Sequence, residues 1–155
     1  MDRAWIEAHI PHQGSMCLLD EVISFDAHHL RCLSGTHRNA AHPLKLHARL
    51  GIACGIEYVV QAMAVHGAIA ALARAAGRPA KAAAGFLAGL RDVRMHVERL
   101  DDIDADLICE VQRIAGDAST ALYAFDLSAE RRCLLEGRAT VVLDAGGRLI
   151  GQLQA

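Results

Sequence analysis

The stretch Gly51–Gly77, GIACGIEYVVQAMAVHGAIAALARAAG, restricts the fold more than any other part of this chain. It reads as one helix over residues 52–76, stopped by Gly77 with Pro79 just beyond. Apolar and small side chains ring it on nearly every side. Such a helix is either buried inside a domain or set in a membrane. Glu57, Gln61 and His66 sit near its middle, and no second span exists to shelter them, so membrane insertion would be costly. The expectation is a core helix and no membrane span.

A helical wheel divides the three polar residues. Gln61 falls about 40° from Glu57, whereas His66 falls about 180° away. Glu57 and Gln61 therefore share a face at i, i+4, where side chains touch. Two readings of Glu57 stand side by side. It is a first-turn acid favoured by the helix dipole with its head in water. Alternatively it is a desolvated carboxyl held by Gln61, with a raised pKa, able to donate a proton. His66 is expected to be a hydrogen-bonded packing histidine. Gly51, Cys54 and Gly55 stand at the helix start, where free N–H groups can hold a carbonyl oxygen or an anion.

The rest of the chain supplies strands. Residues 2–9 read as a short helix capped by Asp2 and ended by Ile10-Pro11. Residues 16–25 and 28–37 read as two strands joined by a turn at Asp26-Ala27. Residues 38–50, RNAAHPLKLHARL, keep no period and read as a loop, a length that is often functional. After the helix, the alternation of Val93, Met95 and Val97 marks a strand, and residues 107–114, 121–129 and 133–143 mark three more. Gly116-Asp117 and Glu130-Arg131 are the turns between those last three. Residues 144–155 are a terminal strand or a tail. Strand runs around one long helix indicate an antiparallel α+β layer architecture. A curved sheet covers more of an all-round apolar helix than a flat one, and a second copy would cover the remainder.

Composition narrows the function classes. The chain has 155 residues, 53% hydrophobic and 22% charged, which fits a single globular domain over 1–155. A formal net charge of -2 gives no basic footprint for nucleic acid. Five cysteines without a CxxC spacing read as reduced thiols of a cytoplasmic protein, and no metal or cofactor is expected. The N-terminal residues show no signal-peptide pattern. Nine histidines are more proton carriers than one reaction needs.

With these residues in view, a resemblance emerges. IPHQGSMCLLDEV (10–22), GIEYVVQAMAVHGAI (55–69), GFLAGLRDVRMHVERLDDIDADLICEVQRI (85–114) and EGRATVV (136–142) follow in order the pattern of the 3-hydroxyacyl-[acyl carrier protein] dehydratases. The second and third of these are most similar to the divergent ApeP-like subgroup of aryl-polyene-type pigment clusters. The resemblance implies a hotdog fold, a long central helix wrapped by a curved antiparallel sheet. It implies dehydration of a 3-hydroxyacyl thioester on an acyl carrier protein, in polyene or fatty-acid-type biosynthesis. It also implies a homodimer or heterodimer in which a helix carboxylate from one subunit meets a loop histidine from the other.

Carried over residue by residue, the resemblance makes Glu57 the helix acid and Gln61 its neighbour. Gly51, Gly55 and Cys54 would line the thioester. The family's Gly-His-Phe-Pro-Gly loop is absent here, so the loop histidine falls to His42 or His47. His12, in PHQG, matches a family position and is expected to fix the N-terminal turn. Arg91, Arg94 and Arg99 either meet the carrier protein or form a solvated face. The alternatives are a non-catalytic hotdog partner subunit, a hotdog thioesterase and an acyl-binding module.

Overall fold

Why the long helix is buried is answered by the sheet that curls against it. The computed structural model describes residues 1–75 and 84–144. Within them lie helices α1 (Arg3–His9) and α2 (Gly55–Ala75) and six strands. The strands are β1 (Glu21–Phe25), β2 (His29–Ser34), β3 (Ala84–Met95), β4 (Leu107–Gly116), β5 (Thr120–Ala129) and β6 (Arg132–Asp144). They form one sheet in the order β1-β2-β4-β5-β6-β3, with every neighbouring pair antiparallel. α2 packs on β2, β4 and β5, the middle of the sheet.

Alternation along the strands builds the core. In β5, Ala121, Tyr123, Phe125, Leu127 and Ala129 turn inward, while their neighbours stay half-exposed. Leu107, Cys109 and Val111 of β4 and Leu30 and Cys32 of β2 continue the same inner face. From α2, Tyr58, Val59, Ala62, Met63, Val65 and Ala68 fill against it. Gly55 is the closest approach of helix to sheet. A Cβ there would come 2.7 Å from Leu127 Cδ2 and 3.0 Å from Leu135 Cδ2. The opposite stripe of the helix, Val60, Ala64, Gly67 and Ala71, remains only half-buried in one chain. The sheet thus covers one side of the helix. β3 lies at the other open boundary as an edge strand that exposes Leu87 and Met95.

The expected elements occur within the described residues, with shifts at their ends; the strand marked by Val93, Met95 and Val97 spans Ala84–Met95 and leaves Val97 outside it. The first strand begins at Glu21 rather than residue 16, because Gln61 takes the backbone groups of Met16 and Leu18 with its side chain. The second spans His29–Ser34, and a 3₁₀ turn at Thr36–Arg38 follows. The long helix opens with a 3₁₀ turn at Ile52–Cys54 before its α-helical part. Residues 38–50 are a loop, pinned by an isolated bridge between Leu46 and Arg49. The expected stop at Gly77 and Pro79 and the terminal segment from residue 145 lie outside the described residues. The helix is long and apolar enough to cross a membrane, yet 44% of its most apolar window is buried inside the chain.

Gly55→Val should lower stability by roughly 1–3 kcal/mol through overpacking against Leu127 and Leu135. Urea denaturation of the two proteins measures it. An unchanged midpoint would mean that the helix does not need this close approach.

Candidate active site

Gln61 organises the site although it is fully buried. Its Oε1 accepts the Leu18 N–H at 2.8 Å. Its Nε2 donates to the Met16 carbonyl at 2.8 Å and to Glu57 Oε1 at 2.9 Å. One amide therefore ties the segment before β1 to the helix and fixes Glu57 one turn away. His12 approaches from the chain between α1 and the 3₁₀ turn at Gly14–Met16, and its Nε2 lies 3.0 Å from the same Oε1. Both contacts fall on Oε1, and among the described residues Oε2 has none.

This geometry settles the charge of Glu57. The neighbouring His12 imidazole holds its carboxyl below the usual carboxylate range; burial pushes the other way, and Gln61 adds to the lowering. The raised pKa considered from sequence is therefore corrected: the two donors outweigh desolvation, and Glu57 is an anion near neutrality. Its side chain is 30% exposed and that of His12 28%, so the pair lies at an opening rather than in the deep core. His12 Nδ1 is buried and has no hydrogen-bond partner.

The loop histidines lie elsewhere in the chain. His42 is buried, its Nε2 2.9 Å from the Tyr58 hydroxyl, while its Nδ1 accepts the Leu44 N–H at 3.1 Å. That acceptor role leaves the proton on Nε2, so Tyr58 accepts from His42. The Tyr58 oxygen lies 2.9 Å from Thr36 Oγ1, and Thr36 in turn donates to the Leu18 carbonyl at 2.9 Å. Burial lowers the His42 pKa, with nearby Lys45 adding to it. Within one chain, then, His42 does not pair with Glu57; its two nitrogens are spent on Tyr58 and Leu44. It stands at the far end of a network that reaches Glu57 through the Leu18 peptide and Gln61. His47 is exposed, with φ 49°, at the tip of the same loop.

The helix start differs from an open cradle of N–H groups. Ile52 N–H donates to Glu98, Cys54 N–H to Gly51, and Gly55 N–H to the carbonyls of Ile52 and Ala53. Gly55 faces the sheet, so packing explains that glycine. Gly51 is half-buried with open space at its Cβ position. Cys54 is half-buried, with Sγ 3.8 Å from the Leu44 carbonyl. His66 is a packing residue, as the wheel indicates: its Nδ1 lies 3.0 Å from the Tyr123 hydroxyl and its Nε2 3.3 Å from the Asp26 carbonyl. Arg94 contacts Glu136 at 3.8 Å, and Arg99 pairs with Asp101 and Asp102; Arg91 is exposed on β3. His12, expected to fix the N-terminal turn, instead meets the Glu57 carboxylate through Nε2, and its Nδ1 bonds nothing in that turn. The signal for His12 was there, in the PHQG motif that the resemblance shares.

A long helix wrapped by a six-stranded antiparallel sheet, carrying one carboxylate near its start, defines a hotdog-fold protein. Residues 4–146 match the family described as ApeP-like, ApeP dehydratase, and the chain belongs to that family. No curated protein sequence matches it significantly. Among solved structures, the dehydratase heterocomplex ApeI:P from Xenorhabdus doucetiae superposes with a TM-score of 0.83 at 23% identity, covering 97% of each chain. Zebra fish thioesterase superfamily member 2 superposes with a TM-score of 0.57 at 14% identity, over 91% of this chain and 94% of that one. A hypothetical thioesterase with coenzyme A from Streptococcus pneumoniae TIGR4 gives 0.53 at 10% identity, over 79% and 84%. At these identities the likeness is one of fold.

Gln61→Leu should cost about 2–4 kcal/mol, because it orphans the buried Leu18 N–H and Met16 carbonyl. Equilibrium unfolding reads that loss. A second outcome concerns acid. The Glu57 pKa is lower folded than unfolded, so its contribution to stability is complete above the ordinary carboxylate range. It disappears as pH falls through the folded value. His12→Ala should bring the Glu57 pKa back up, as ¹³C-NMR titration of the carboxyl would register; an unmoved titration would refute the His12 contact.

Proposed function

We propose that the chain is a dehydratase acting on 3-hydroxyacyl thioesters of an acyl carrier protein in the cytoplasm, giving a trans-2-enoyl thioester and water. The observation that carries this reading is the Glu57 carboxylate, with Oε1 held by two donors and Oε2 free, on the central helix of a dehydratase-family chain.

The anion suits a proton carrier. Oε2 takes the α-proton as that C–H bond breaks. The electron pair forms the new double bond while the β C–O bond breaks. The carboxylic acid then gives the same proton to the departing hydroxyl, water leaves, and Glu57 is again an anion. No co-reactant is consumed. His12 and Gln61 touch Oε1 throughout, which holds the carboxylate in one orientation and keeps its pKa low enough for the base form to dominate. The acyl chain runs along Val60, Ala64 and Gly67, the half-buried stripe on the same helix face. A second hotdog chain would roof it.

A partner-subunit reading also has a specific observation behind it. The structural relative with a TM-score of 0.83 is a heterocomplex, and here β3 and the helix stripe are left uncovered. In that arrangement His47, exposed at its loop tip, is the loop histidine able to reach the partner subunit's site. Polyene or fatty-acid-type assembly is the setting this reading assigns.

The test is dehydration of a 3-hydroxyacyl-carrier protein by wild type and Glu57→Gln, each alone and with a second hotdog chain. Wild type should form the enoyl thioester, and the variant should lose about 10²–10⁴ in rate. Equal rates would end the catalytic role of Glu57. Activity that requires the second chain and ignores Glu57 would establish the partner reading, and release of free acid would indicate a thioesterase. The rate should hold down to about pH 4.5, the ordinary glutamate value, because the required anion has a lowered pKa. In His12→Ala that acid limb should move upward.

A further inference from the structure

The outer surface of the sheet holds a second set of reactive side chains, separate from Glu57. In a regular strand, residues three apart point to opposite faces. In β6 they do not. Leu127 pairs with Leu135, and Ser128 pairs with Cys133, so Leu134 is an extra residue that forms a β-bulge. Leu134 and Leu135 are both buried, and Cys133 and Glu136 consequently share the outer face. The end of β3 adds His96. Its N–H donates to the Leu134 carbonyl at 2.8 Å, on the bulge itself, and its Nε2 lies 3.1 Å from Glu136 Oε1.

One donor atom from each of His96, Cys133 and Glu136 lies within 4.8 Å of the other two. Asp126 is the cross-strand neighbour of Glu136, and its carboxylate lies near enough to the Cys133 thiol to help raise its pKa. The cation already present is Arg94, whose guanidinium stays 3.8 Å from Glu136 on a side chain 73% exposed. The geometry points to a zinc-class divalent metal site formed by His96, Cys133 and Glu136, with Asp126 beside the thiol for the fourth position.

The donor set selects the metal. Thiolate, imidazole and carboxylate together suit zinc, whereas calcium and magnesium take oxygen alone. A tetrahedral zinc with bonds of about 2.0–2.3 Å keeps its ligand atoms roughly 3.3–3.8 Å apart. The observed spacing, within 4.8 Å, is wider by about 1.5 Å at most, a gap that side-chain rotation closes. Three of the four donors sit on paired strands of the sheet, so the cluster is held on rigid backbone. Without a cation, burial pushes the Cys133 thiol up to about 12, and the adjacent carboxylates add to it. A bound metal reverses that, releasing the thiol proton as it binds. The bond would strap the end of an edge strand, paired on one side only among the described residues, to its neighbour β6.

The experiment uses the full chain stripped of metal by a chelator and titrated with Co²⁺, then Zn²⁺. One Co²⁺ per chain should produce a thiolate-to-cobalt charge-transfer band, and Zn²⁺ should displace it and raise the melting temperature. Cys133→Ser should abolish the band. His96→Ala, at an exposed position that leaves folding intact, should weaken binding by about tenfold or more. Absence of a band in wild type would overturn the site. So would a band that survives Cys133→Ser, or an affinity unchanged in His96→Ala.

Discussion

The buried amide of Gln61 is the interaction on which the functional architecture depends. An apolar helix can carry a carboxylate only if that group and its neighbours find partners. Gln61 meets the requirement with three hydrogen bonds, two to backbone before β1 and one to Glu57. The same amide shortens the first strand, because backbone groups bonded to Gln61 are not available to a ladder. It also delivers the chain that carries His12 to within contact of Glu57. Fold and site are thus joined at one side chain.

The network on the other side of the Leu18 peptide shows how a histidine can serve a site without entering it. His42 is fixed as a donor by the Leu44 N–H, and the direction of each following bond runs through Tyr58 and Thr36 to the Leu18 carbonyl. Burying so many polar groups is stabilising only when all are satisfied, and here they are. The result is a rigid connection between loop 38–50 and the helix start. A loop without regular secondary structure is held in place by side chains where a strand would use its ladder.

Much of this was legible in the sequence. The 3.6-residue period placed Glu57 beside Gln61 and turned His66 away, and the structure has both. Strand alternation located all six strands, and the turn at Glu130-Arg131 was readable although both residues take positive φ. What could not be read was the partner of Glu57. His12 and Glu57 are far apart in sequence, and only the clamp on Met16 and Leu18 brings them together. Nor could the pKa direction be read, since it is a balance between burial and two donors whose distances are tertiary facts.

The sequence by itself determined the helix, its polar face, the strand order along the chain and the family to which they belong. These follow from local periodicity and from motifs that survive in order. The tertiary structure decided which histidine meets the acid, which oxygen of that acid is free, and that a bulge turns Cys133 and Glu136 to one face. Each of those depends on how far one backbone segment is shifted against another. Such shifts are set by packing and by buried hydrogen bonds between residues remote in sequence, which no local pattern records.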